Sequence, residues 1–116
     1  MAGAQRFFIG IDDLALARGA NAALSFQGDS ADGFAAALQA ALREPALFER
    51  WRQLQPDPDA VDPGLGATDA AATVSARQQD LHTDVIVTTQ LPHSILRHRL
   101  SLLVGAHWTL RDVKGA

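Results

Sequence analysis

Four histidines, His82, His93, His98 and His107, fall within 26 residues of one another. Asp84 and Asp112 lie in or beside the same stretch, so the residue types that bind a transition metal or move a proton are gathered there. Their spacing does not close a site. His93 and His98 are five apart, about 140° around a helix, so they diverge where residues four apart would converge. His82 and Asp84 share one face of a strand, and His107 joins them only if the two strands are neighbours. A closed metal site needs more ligands than this arrangement brings together, so neither a metal nor a cofactor is expected.

Arg99 stands out for a different reason. Stepping the helix-like stretch 95–104 at about 100° per residue, with Ile95 at zero, puts Leu96 near 100°, Leu100 near 140°, Leu103 near 80° and Leu102 near 340°. Arg99 falls near 40°, inside that apolar arc, while Arg97, His98 and Ser101 take the wet side. A guanidinium does not shed its proton, so on the core side it must snorkel outward, meet a carboxylate, or hold an anion or partner. Snorkelling or a pair with Asp84 or Asp112 is the expected outcome, and a small-anion or small-molecule site centred on Arg99 is the alternative.

The one candidate nucleic-acid patch joins Arg97, Arg99, Arg111 and Lys114 to His98, His107 and Trp108, since an aromatic beside cations suits single-stranded RNA. Packing in the core is the expected role of Trp108. The whole chain carries 10 Lys+Arg against 13 Asp+Glu, a net charge of −3, which disfavours generic polyanion or anionic-membrane binding.

Other chemistry is missing. The sequence holds no cysteine, which removes disulfides, thiolate nucleophiles and Cys-ligated zinc. It has no phosphate-binding glycine loop, no HExxH and no GxSxG. Asp57, Asp59 and Asp62 miss calcium-loop spacing, which needs an oxygen ligand at Val61 and a glycine after it. The run from Phe7 to Asp13 (FFIGIDD) resembles the first strand of ribonuclease H-like and actin-like ATPase domains over seven residues. Those families carry further carboxylates or phosphate loops on later strands, which nothing here supplies, so Asp12 and Asp13 read as turn or capping residues.

The elements that must position these groups follow from periodicity. Arg6–Ile11 reads as a buried strand, the stretch from Asp12 to Gly19 as a short helical turn or continued strand, and Ala23–Gln27 as a second strand with Leu24 and Phe26 on one face. A helix over about 31–43 is capped by Ser30 or Asp32 and buries Phe34, Leu38, Ala41 and Leu42. Pro45 stops it and begins a second helix in which Leu47, Trp51 and Leu54 share a face. Residues 55–72, acidic and rich in Pro and Gly, read as a long loop that is either flexible or packed on a partner. Val74–Gln79 and Leu81–Leu91 follow as strands, the latter with Leu81, Thr83, Val85, Val87, Thr89 and Leu91 on one face and His82, Asp84, Ile86 and Thr88 opposite. Pro92 opens a helix over about 93–104, Gly105 caps it, and His107–Val113 closes the chain as a strand.

The expected architecture is a single α+β domain over 1–116, a two-layer sandwich of about four strands with helices on one face, ferredoxin-like in outline. The N-terminal apolar run is too short for a signal peptide, which suggests a cytoplasmic protein, and nine arginines among ten basic residues suggest a bacterial source. With no catalytic constellation, the expected function is a non-enzymatic protein-interaction or self-associating module, with no membrane and nucleic acid disfavoured.

Overall fold

The computed structural model describes residues 3–116. In chain order it contains β1 (Gln5–Asp12), α1 (Ala31–Arg43), α2 (Ala46–Gln53), β2 (Thr73–Gln79), β3 (His82–Thr89), α3 (His93–Val104) and β4 (Thr109–Gly115). The strands form one sheet in the order β2-β3-β1-β4, antiparallel at every junction. Each helical connection therefore skips one strand: β3 lies between β1 and β2, and β1 lies between β3 and β4. That is the split βαβ arrangement of ferredoxin-like sandwiches, here with α2 and two short 3-10 turns inserted before β2.

Alternation sorts the sheet residues cleanly. Phe7, Ile9 and Ile11 of β1 pair with Val87, Val85 and Thr83 of β3, and all six side chains are buried toward the helices. Phe34, Leu38 and Leu42 of α1 and Leu96, Leu100 and Leu103 of α3 complete that core. Arg6, Phe8, Gly10 and Asp12 necessarily take the opposite face of β1. Between Phe8 and Ile9 the pairing with β4 slips by one residue, a bulge at Arg111.

Local chemistry sets the element ends. Ser30 Oγ accepts the Gly33 N–H at 3.0 Å and starts α1. Glu44, held extended by the proline that follows it, ends α1. Pro45 occupies the cap position of α2 rather than its first turn. Gly105 ends α3 with φ +63, where a Cβ would also stand 2.8 Å from the Arg18 carbonyl oxygen.

Four expectations require correction. Ala23–Gln27 is not a strand: Leu24 and Phe26 are buried, but the segment turns on Asn21 and docks on the end of α3, where Phe26 N–H donates to Leu103 O at 2.9 Å. The stretch Asp12–Gly19 needs no correction: of its two readings the turn forms, as Leu16 N–H and Ala17 N–H donate back to Asp13 O and Leu14 O. Leu81, expected on the buried face of its strand, is 69% exposed because it forms the tip of the β2–β3 hairpin beside Asp80, whose φ is +55. Leu54 is likewise exposed, since α2 stops at Gln53. Residues 55–72 are tied to the body rather than loose, by contacts described next.

Candidate functional site

The C-terminal turn of α1 leaves carbonyls with no partner inside the helix. Ala40 O is taken by Glu44 N–H, and Leu42 O by Asp69 N–H at 2.8 Å. Ala41 O accepts from Arg99 Nε at 3.2 Å. The same guanidinium donates through Nη1 to Leu65 O at 2.7 Å and through Nη2 to Ala67 O at 3.0 Å. Arg99 is 0% exposed, its Cζ lies 5.4 Å from the Phe48 ring centroid, and burial lowers its pKa from the usual arginine value. It neither snorkels nor meets a carboxylate: Asp84 bonds to His82, and Asp112 lies 3.8 Å from Lys114. Three carbonyl dipoles hold the cation instead, and through them it clasps α3 to α1 and to the loop.

Other side chains reinforce this seam. Arg43 Nε donates to Ala72 O at 2.6 Å and Arg52 Nε to Pro58 O at 3.0 Å. Asp69 accepts from Thr89 Oγ1, Gln90 N–H and Ala71 N–H. Those bonds, that to Gln90 above all, pull its carboxyl below the usual aspartate range against the opposing effect of burial.

His98 sits against this clasp. Its Nδ1 is 3.3 Å from Arg99 Nη1 and must accept, which assigns the proton to Nε2. Nε2 is buried without an N or O partner among the described residues, and the ring packs edge-to-face on Trp51 at 4.4 Å. Burial first, and the Arg99 charge second, lower the His98 pKa. The unfolded chain therefore binds a proton that the fold resists, so stability is full above the ordinary histidine value of about 6.5 and declines as pH falls below it. Urea midpoints measured between pH 5 and pH 7.5 should rise with pH, and His98→Asn should flatten that rise; an unchanged slope in the variant would refute the assignment.

The remaining site residues do not converge. Arg97 is exposed on α3, while Trp108 is half-buried with Nε1 donating to Gly105 O. Arg111 lies on the other side of the sheet, its guanidinium filling the space above Gly10. The Arg/His/Trp set is thus divided between the buried clasp, the outer side of α3 and the uncovered sheet face. Among the described residues no group of three or more His, Asp or Glu side chains is placed to hold a metal ion. His82 bridges Asp84 at 2.6 Å and Asp12 at 3.5 Å, and His107 cannot join them because β1 separates β4 from β3.

What the geometry does bring together is that uncovered face. Reading across the strands from β2 to β4, one end carries Thr73, Thr88, Arg6 and Lys114. The next row holds Ser75, Ile86, Phe8 and Asp112, followed by Arg77, Asp84 and Gly10, and then Gln79, His82 and Asp12. Phe8 and Ile86 are partly exposed neighbours on the two central strands, and Lys114 Nζ stands 5.5 Å from the Phe8 ring centroid. The alternation Arg6, Phe8, Gly10, Asp12 against Phe7, Ile9, Ile11 was the sequence signal for Phe8, masked by the continuous apolar run in which it lies. Compared with family models, with curated proteins and with solved structures, the chain matches none.

Proposed function

We propose that the protein is a binding module that offers the uncovered face of its sheet to another protein surface. The observation that carries this reading is the apolar pair Phe8–Ile86, set on the two central strands of a face that no helix among the described residues covers and ringed by charges of both signs. Four cations, Arg6, Arg77, Arg111 and Lys114, stand there against three carboxylates, Asp12, Asp84 and Asp112. A face so nearly balanced suits a protein partner better than a phosphate backbone. Arg99 is a poor centre for an anion site, because its donors already hold carbonyls in the interior.

The test pairs Phe8→Arg with Ile86→Arg at these partly exposed positions, with circular dichroism and a thermal melt to establish that the double variant stays folded. Cross-linking in lysate should capture protein partners, a second copy of the chain included, with the wild type and lose at least about ten-fold of that capture with the double variant, as loss of a central apolar pair implies. Equal capture by both proteins would rule out this face. Capture of RNA in place of protein would overturn the reading.

A further inference from the structure

Resting on that reading, we infer that the occupant of the open face is a second copy of the chain, packed sheet on sheet about a two-fold axis that lies in the interface and runs across the strands. A two-fold interface must complement itself, so each charged group needs its opposite elsewhere on the same face. This face meets that condition along β1. Arg6 stands at one end and Asp12 at the other, six residues and roughly 20 Å apart on the same side of the strand. An axis across the strands reverses the second β1 over the first and brings Arg6 of each copy to Asp12 of the other. It also turns the Arg6–Lys114 row of each copy toward the row of Asp12 and His82.

The alternative axis, parallel to the strands, is poorer in charge. It sets β1 over β3 and β4 over β2, so Arg6 falls over Thr88 and Lys114 over Thr73 with no carboxylate opposite, while Arg77 on edge strand β2 moves over the β4 edge that carries Arg111. The two Arg6–Asp12 contacts of the first packing, against a cation opposite a cation in the second, favour the first. Reversed strands also meet the aligned geometry that face-to-face sheets adopt.

The area is sufficient. Four strands about 4.8 Å apart and about seven residues long give a footprint of roughly 450 Å² per copy. Side-chain relief raises the total buried on both copies to roughly 1,000–1,300 Å², the lower edge of specific interfaces. The dimer is weakened by salt because the pairs lie toward the rim.

Sedimentation equilibrium with charge-reversed variants tests the geometry. Arg6→Asp faces Asp12 with aspartate in both symmetric contacts, and Asp12→Arg faces Arg6 with arginine in both, so each variant alone should dissociate at least about ten-fold more readily than wild type. An equimolar mixture restores opposite charges at both contacts and should return to within about three-fold of wild-type affinity. A wild-type chain that stays monomeric to millimolar concentration overturns the dimer, yet leaves the binding reading intact if lysate capture still depends on Phe8 and Ile86. A dimer indifferent to these reversals, or a mixture no tighter than its parts, also overturns it.

Discussion

Arg99→Met should cost roughly 3 kcal/mol or more of unfolding free energy, although methionine fits the space and removes a buried charge. Replacing buried ions by apolar residues is often neutral where both partners of a pair are replaced together. Here the partners are the backbone carbonyls of Ala41, Leu65 and Ala67, which no side-chain substitution removes. Each buried acceptor left without a donor costs about 1–3 kcal/mol, and water reaches Ala67 far more readily than Ala41, so the loss is less than three full penalties. Arg99→Lys keeps the charge but cannot address three divergent carbonyls, and it should recover only part of the loss. The loop should respond before the sheet does: limited proteolysis between Pro56 and Thr68 should accelerate in Arg99→Met while the protection of β1 and β3 amides changes less. A urea midpoint corresponding to under about 1 kcal/mol of destabilisation would show that the clasp contributes little.

That clasp also explains why only part of the molecule was legible in its sequence. Helices α1 and α3 carry an apolar stripe between recognisable stops, Ser30 and Pro45 for one and Pro92 and Gly105 for the other, and they form where periodicity places them. The sheet is legible for the same reason, since Thr83, Val85, Val87 and Thr89 alternate against His82, Asp84, Ile86 and Thr88. Residues 55–72 are different. Their composition is that of a solvated loop, and their order comes from Arg43, Arg52 and Arg99, which reach them from elsewhere in the chain and bind carbonyl oxygens. A carbonyl has no letter in a sequence, so the helical arc puts Arg99 inside the core without naming the backbone oxygens it meets there. The stretch 13–30 is obscure on similar grounds. Gly19 lies against the Leu102 carbonyl so closely that a Cβ would clash, and Ser25 Oγ accepts from Gly19 N–H at 2.8 Å and reaches Leu103 O at 3.1 Å. These contacts have no period, so alternation of Leu24 with Phe26 imitates a strand where none forms.

Phe34→Ala should remove about 3–5 kcal/mol, the range for truncating a fully buried phenylalanine. Phe34 is 0% exposed in the first turn of α1 and meets the edge of Phe26 at 5.4 Å between centroids, with the planes 84° apart. Phe26 is itself buried, and its ring also lies 5.8 Å from the Arg18 guanidinium, whose Nη2 donates to Gly28 O. The pair therefore joins α1 to a segment that has no ladder of its own to hold it. Collapse of the hollow is limited, because Phe26 cannot move toward α1 without drawing its N–H from Leu103 O. Phe26→Ala alone should cost less, since that side chain keeps 8% exposure at the rim. The double variant should fall short of the sum by about 0.5–1.5 kcal/mol, the edge-to-face term that each single variant already removes. Hydrogen exchange in Phe34→Ala should loosen Asn21–Gly28 ahead of the sheet. Strict additivity of the two truncations, with that segment as protected as in the wild type, would show that the irregular stretch is held by its backbone contacts with α3 and not by this aromatic pair.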